Sequence, residues 1–178
     1  QPGFAMSAMD KAEPEDCRIY IRGEVSTPGK KTPRGNLRFL DIPGITPISS
    51  GQSGRLQWAE WLASDENPLT PRVFVNRVWQ HLFGRGLVTT PDDFGKTGAK
   101  PTHPELLDLL AADFVAKGWS IKELIRSLVL SRTYQMGSAP HAANQATDPE
   151  NKWLWRMSPR RLQVEPFRDA ILAVSGRL

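Results

Sequence analysis

From residue 54 onward apolar side chains recur every three or four positions, the spacing that gathers them on one face of an α-helix. Arg55 to Ala63 carries Leu56, Trp58, Ala59, Trp61 and Leu62, which wraps apolar surface around most of a short helix and predicts a central position for it. Asn67-Pro68 stops that helix. A second helix is predicted from Pro71 to Gly84, with Thr70 as N-cap and Pro71 in the first turn. Its Val75, Val78, Trp79, Leu82 and Phe83 form one buried stripe. Residues 84–103 hold Gly84, Gly86, Pro91, Gly95, Gly98 and Pro101, a spacing too broken for a helix. This long connection is therefore expected to be a structured loop held by Leu87, Val88 and Phe94.

Thr102 and Glu105 read as a capping box for a third helix, with Pro104 just inside it and Gly118 at C′. Ser120 and Glu123 form a second capping box, and Ile121, Leu124, Ile125, Leu128 and Val129 carry a fourth helix to the neighbourhood of Tyr134. The joint Gly118-Trp119-Ser120 makes these two a helical hairpin with Trp119 plugging the corner. Residues 135–150 are small and polar and predict an exposed loop. A last helix, capped by Ser158 and Pro159, carries Val164, Phe167, Ile171 and Val174 and closes at Gly176. Pro166 either kinks it or moves its start to the vicinity of Glu165.

Residues 1–50 differ in kind. They contain Pro2, Pro14, Pro28, Pro33, Pro43 and Pro47 and no tryptophan, whereas all 6 tryptophans lie later. The only strand-like run is 17–22, where Ile19 and Ile21 alternate with Arg18, Tyr20 and Arg22, the period of a half-buried strand. Its expected partner is either Leu37 to Leu40, through a loop carrying Pro28-Gly29, or a part of a larger parent protein. The chain thus reads as mostly α: an extended arm over 1–50 with at most one or two short strands, draped on a compact multi-helix bundle of about five helices over 51–178.

The length of 178 residues supports a real hydrophobic core, and 39% apolar with 24% charged residues excludes wholesale disorder. Apolar runs are only a few residues long, so no membrane span is expected. No basic segment followed by an apolar run precedes Cys17, so no signal peptide is read there. The single cysteine forbids an internal disulfide, a C-x-x-C-H haem attachment and a cysteine-cluster zinc site. No cofactor or metal is therefore expected in this chain. The net charge of +4 is mild. Its dense basic cluster, Lys152, Arg156, Arg160, Arg161 and Arg168, is countered by Glu165 and Asp169 and reads as a solvated or ion-paired surface, so nucleic acid is not an expected partner. Arg161, Glu165 and Arg168 are spaced for an ion-pair ladder worth a few tenths of a kcal/mol per pair.

Candidate chemistry falls in two places. Arg72, Asn76 and Gln80 line one polar stripe of the second helix, flanked by Arg77 and His81; with Arg160, Arg161 and Glu165 they are the candidate binding residues. His81, His103 and Asp93 are the candidate acid and base groups, with Asp92 a further carboxylate in the glycine-rich loop. No two of His81, His103 and His141 are placed at i, i+3 or i+4, so a two-histidine metal face is missing. No nucleophile elbow or phosphate loop is present.

Several long runs are specific enough to be compared with a family. Ser53-Gly-Arg-Leu-Gln-Trp-Ala-Glu-Trp-Leu62, Asn67-Pro-Leu-Thr-Pro-Arg-Val73, Val75-Asn-Arg-Val-Trp-Gln-His81, Phe83-Gly-Arg-Gly-Leu-Val88 and Thr90-Pro-Asp-Asp-Phe-Gly95 stand in the first half. Pro101-Thr-His-Pro-Glu-Leu-Leu107, Gly118-Trp-Ser-Ile-Lys122, Ser131-Arg-Thr-Tyr134, Asp148-Pro-Glu-Asn151 and Arg160-Arg-Leu162 follow. Together they resemble the planctomycete-type domain of unknown function DUF1553, the "PSD-one" family, found toward the C-terminus of large cytochrome-associated proteins. With Ile21-Arg-Gly-Glu24 and Pro28-Gly29 the resemblance extends over 17–178, departing from the pattern at Gln163 and Pro166. It implies a helical module of an exported multidomain parent, with haem c carried by another part of that parent. The leading expectation is a non-catalytic interaction or scaffolding module whose partners are other domains of the parent, or a protein or polysaccharide. The alternative is an enzyme domain acting on a polysaccharide or ester polymer through His81 or His103 with Asp93. Weak nucleic-acid binding comes third.

Overall fold

Antiparallel pairing at the N-terminal end is a local hairpin closed through residues 21–27. In the computed structural model, which describes residues 8–35 and 47–177, β1 (Arg18–Tyr20) pairs with β2 (Pro28–Lys31), Arg18 opposite Lys31 and Tyr20 opposite Pro28. A 3₁₀ turn over Ile21–Gly23, with Arg22 at φ 56° and Gly23 at φ 77°, ends the strand early and bends the chain back. The segment read as a loop thus supplies one partner of β1, and the expected partner Leu37 to Leu40 lies outside the described residues. Ile19 and Ile21 are exposed, so the strand is not half-buried.

The chain divides into two compact units, Gln1–Thr70 and Pro71–Leu178. In the first, α1 (Arg55–Leu62) buries only Gln57 and Trp61, one turn apart on a single face, while Leu56, Trp58 and Leu62 face outward. The central position expected for this helix is therefore not found: eight residues ringed with apolar groups present one face to a neighbour and leave the others open. α2 (Leu69–Phe83) begins earlier than expected, because the N-cap acceptor is Asn67 rather than Thr70. The Asn67 carboxamide oxygen accepts from the Leu69 and Thr70 N–H groups at 2.9 and 3.2 Å, and its Nδ2 donates to the Thr70 hydroxyl at 2.8 Å.

The second unit holds one core, formed by Val75, Trp79 and Phe83 of α2, Leu87 and Val88 of the following loop, Leu107 and Phe114 of α3 (Pro104–Ala116), and Leu124 and Leu128 of α4 (Ile121–Val129). Trp79 stacks on Phe83 with centroids 4.0 Å apart, and Tyr134 meets Phe83 edge-on at 5.6 Å. Gly118, at φ 66°, closes α3: its N–H reaches the Val115 carbonyl and the Trp119 N–H reaches that of Phe114, the two bonds of a Schellman cap. Trp119 then packs edge-on against Phe114 at 5.3 Å, filling the hairpin corner as the sequence predicts. Ser120 caps α4 through its hydroxyl.

Two boundaries differ from the sequence reading, and at a third one of its two alternatives holds. α4 stops at Val129, where Ser131 turns its hydroxyl onto the Leu128 carbonyl and then accepts the Tyr134 N–H. The polar stretch 135–150 contains a short helix, α5 (Ala142–Thr147). The last helix, α6, is Val164–Val174, with Gln163 as N-cap, so Pro166 lies in its first turn, where no N–H partner is required. Ser158 and Pro159 lie outside it, and Gly176 closes it with a second Schellman pair. Among the described residues the fold is mostly α: six α-helices and one two-stranded ribbon. No described helix is long and apolar enough to cross a membrane.

Candidate functional site

Two loops of the second unit carry its polar residues, and each is fastened by a side chain that imitates a backbone partner. Asn76 lies on the buried side of α2, 0% exposed, and its carboxamide bonds both ways to Val88: Nδ2 donates to the carbonyl at 3.0 Å and Oδ1 accepts the N–H at 2.8 Å. Both buried backbone groups of Val88 are thereby satisfied where no strand is available to do it. Gly86 passes directly over this carboxamide. A Cβ there would stand 2.5 Å from the Val88 carbonyl oxygen and 2.9 Å from both Asn76 amide atoms, so only glycine fits.

Farther along the same loop, the Asp93 carboxylate accepts from the Gly95 N–H at 2.9 Å and the Thr97 hydroxyl at 2.8 Å, while Thr90 donates to the Asp93 carbonyl and accepts from the Ala99 N–H. Thr102 returns the chain by donating its N–H and hydroxyl to the Leu87 carbonyl. That commitment is why Thr102 does not cap α3; His103 takes the N-cap position.

The second loop, 148–158, turns on Asp148 and Asn151, both buried. The Asp148 carboxylate accepts the N–H groups of Lys152 and Trp153 at 2.9 and 2.8 Å, and its carbonyl accepts the Trp155 indole N–H at 3.0 Å. Burial pushes this carboxyl up, but the N–H bonds from Trp153 and Lys152, helped by the charges of Lys152 and Arg85, hold it below the usual carboxylate range. Asn151, in the left-handed region at φ 53°, donates to the Arg156 carbonyl at 2.8 Å and to the Ser158 hydroxyl at 3.0 Å. Glu150 is paired with Arg85 at 3.2 Å and Lys152 at 3.3 Å, and those two side chains lower its carboxyl.

The two loops meet around a small cleft of about 40 Å³, lined by Trp79, Arg85, Leu87, Thr102, Glu150, Asn151, Lys152 and Ser158 among others. That is room for a few water molecules, not for an enclosed substrate. His103 stands next to it, its Nδ1 3.0 Å from the Thr102 hydroxyl and its ring edge-on to Trp153 at 5.5 Å.

The candidate residues named from sequence are scattered over these elements. Arg72 pairs with Asp108 at 2.7 Å, and Arg77 pairs with Asp92 at 3.1 Å on an exposed surface. Gln80 is half-buried and His81 exposed, so with Asn76 buried the expected single polar stripe does not exist. Asp93 serves its own loop. Arg160 donates to the His81 carbonyl, joining two of the candidates through backbone. Arg161 precedes α6 in irregular chain, so the helical spacing to Glu165 does not apply and the ion-pair ladder is replaced by one pair, Arg168 with Asp169 at 3.3 Å. Among the described residues no histidine ring hydrogen-bonds a carboxylate, and no group of three or more His, Cys, Asp or Glu is placed to hold a metal ion. Asp148, Asn151 and Trp153 were not found from sequence as site residues; the signal was the Asp-Pro-x-Asn turn at 148–151.

Because Asp148 is a better acceptor ionised, stability that is full above the ordinary carboxylate range is lost as pH falls through its depressed folded-state value. Thermal midpoints are expected to drop below about pH 4. In Asp148→Asn, which offers one acceptor where two N–H groups need one each, the midpoint should be lower at pH 7 and change less with acid.

A helical domain with one long loop clamped to it by a buried carboxamide and a second loop shaped from within by a buried carboxylate is the class that this fold and site define. A family model described as PSD1, protein of unknown function (DUF1553), matches residues 54–178, and the chain belongs to that family. No curated protein and no solved structure matches it.

Proposed function

We propose that the chain is a non-catalytic interaction module of a larger exported, cytochrome c-associated protein, and that it docks through α6 onto another part of that parent. The observation that carries this reading is the solvent face of α6. Val164, Phe167, Ile171 and Val174 are 79%, 56%, 53% and 92% exposed, and no residue of the helix is buried. Their 3-4-3 spacing is that of a helix seam meant for a partner, and an exposed apolar row of this kind marks an interaction surface. The exported, cytochrome-linked setting is drawn from the motif resemblance.

The test mixes the 178-residue chain with the remainder of its parent produced separately, and reads co-elution and affinity. Association is expected, and Phe167→Asp with Ile171→Asp should weaken it at least about tenfold without altering the circular dichroism of the chain. Failure to associate, or association indifferent to the double change, would contradict the reading. Turnover of a polysaccharide or ester that His103→Ala abolishes would replace it with the catalytic one.

A further inference from the structure

We propose that the 148–158 loop is a carbohydrate-binding platform, with the Trp153 indole stacking on the apolar face of a pyranose ring in a neutral polysaccharide and Glu150 and Lys152 meeting its hydroxyls. This surface is separate from α6 and does not depend on the docking reading.

Three observations carry it. Trp153 is 71% exposed, yet it is not loosely held: its N–H is fixed by the buried Asp148 carboxylate, the indole meets His103 edge-on at 5.5 Å, and Asn151, two positions before it, and Leu154, directly after it, hold positive φ of 53° and 55°. Non-glycine residues adopt that conformation only where their surroundings impose it, and here it holds a large apolar ring out in water. A rigid aromatic face in solvent suits the C–H face of a sugar, which stacks without needing a deep pocket.

The setting is also polar, with donors and acceptors at hand for the hydroxyls of a sugar. Glu150, Lys152 and Arg85 form an ion-paired cluster at the adjoining cleft, supplying planar acceptors and donors suited to vicinal hydroxyls. With the buried Asp148, which the charges of both Lys152 and Arg85 reach, the two cations and two carboxylates of the cluster balance, which favours an uncharged polymer over a phosphate or sulfate chain. Finally, a cleft of about 40 Å³ cannot enclose a monosaccharide, so the ligand must lie across the surface as a chain does.

The test is native electrophoresis of the full chain through gels containing hydroxyethyl cellulose, glucomannan or xyloglucan. Retardation is expected in at least one gel, to be lost in Trp153→Ala, partly kept in Trp153→Phe, and unchanged in Trp58→Ala, which alters another exposed indole in the first unit. An unchanged thermal midpoint for Trp153→Ala shows that the loss is of binding. Quenching of tryptophan fluorescence by the retarding polymer, absent in Trp153→Phe, gives a second readout. No retardation in any of the three gels would overturn the proposal. So would equal retardation of Trp153→Ala and the unaltered chain, or a Trp153→Ala defect seen only against the remainder of the parent protein.

Discussion

Asn76→Leu is expected to lower the stability of the chain by about 3 kcal/mol, because it strands the Val88 N–H and carbonyl in the core with no substitute partner. Leucine repeats the branching of asparagine with bulkier ends, so no cavity opens and the loss combines the stranded hydrogen bonds with some overpacking beneath Gly86. The denaturant midpoint should fall while the slope stays constant, since the core of Val75, Trp79, Phe83 and their partners is left in place. Asn76→Asp separates the two halves of the clamp. It keeps an acceptor for the Val88 N–H, sets an oxygen against the Val88 carbonyl and buries a charge, so its effect should be at least as large at pH 7 and shrink in acid as the carboxyl gains a proton able to donate. A change below about 1 kcal/mol in Asn76→Leu would mean that water or a rearranged loop satisfies Val88, and the clamp would lose its assigned role.

Gly86→Ala should cost about 2–3 kcal/mol by overpacking the same place. The added methyl would stand 2.5 Å from the Val88 carbonyl oxygen and 2.9 Å from both amide atoms of Asn76. Neither neighbour can yield freely, since each is held by the other. Coupling follows from that geometry. In an Asn76→Ala background part of the clash disappears, and the Gly86→Ala cost should shrink by about 1 kcal/mol in a double-mutant cycle. Additive costs would show that the loop crosses α2 elsewhere.

These two residues also mark how far the sequence could be read. Helix periodicity located α2, α3 and α4 and their shared stripe, because a period of three to four depends only on local chain geometry. Gly118, Trp119 and Ser120 were legible for the same reason: a C-cap, a corner aromatic and an N-cap act within a few residues. Asn76 was not. It looked like part of a polar outer row with Arg72 and Gln80, and what buries it is a loop 12 residues away whose return no local pattern encodes. The capping box at Thr102 failed similarly, since a distant acceptor, the Leu87 carbonyl, won the hydroxyl. α6 shows the converse: its apolar stripe was read correctly, but periodicity says that a helix has an apolar face, not that this chain covers it.

Asp148, Asn151 and Trp153 were overlooked as site residues because their roles depend on one tight loop. Its side chains bond backbone groups up to seven positions away, too short for periodicity and too long for a single turn type.

Amide hydrogen exchange of the full chain decides whether Asn76 fastens the 84–103 loop to α2 and Asp148 holds the 148–158 loop in its own shape while α6 stands open. The Val88 and Trp153 amides, bonded to Asn76 and Asp148, should be protected to the degree of the core amides of α2 and α3. Those of Arg168 to Val174 should exchange orders of magnitude faster, since an 11-residue helix with no buried face is marginal in water. Val88 exchanging as fast as α6, or α6 as protected as the core, would contradict this arrangement.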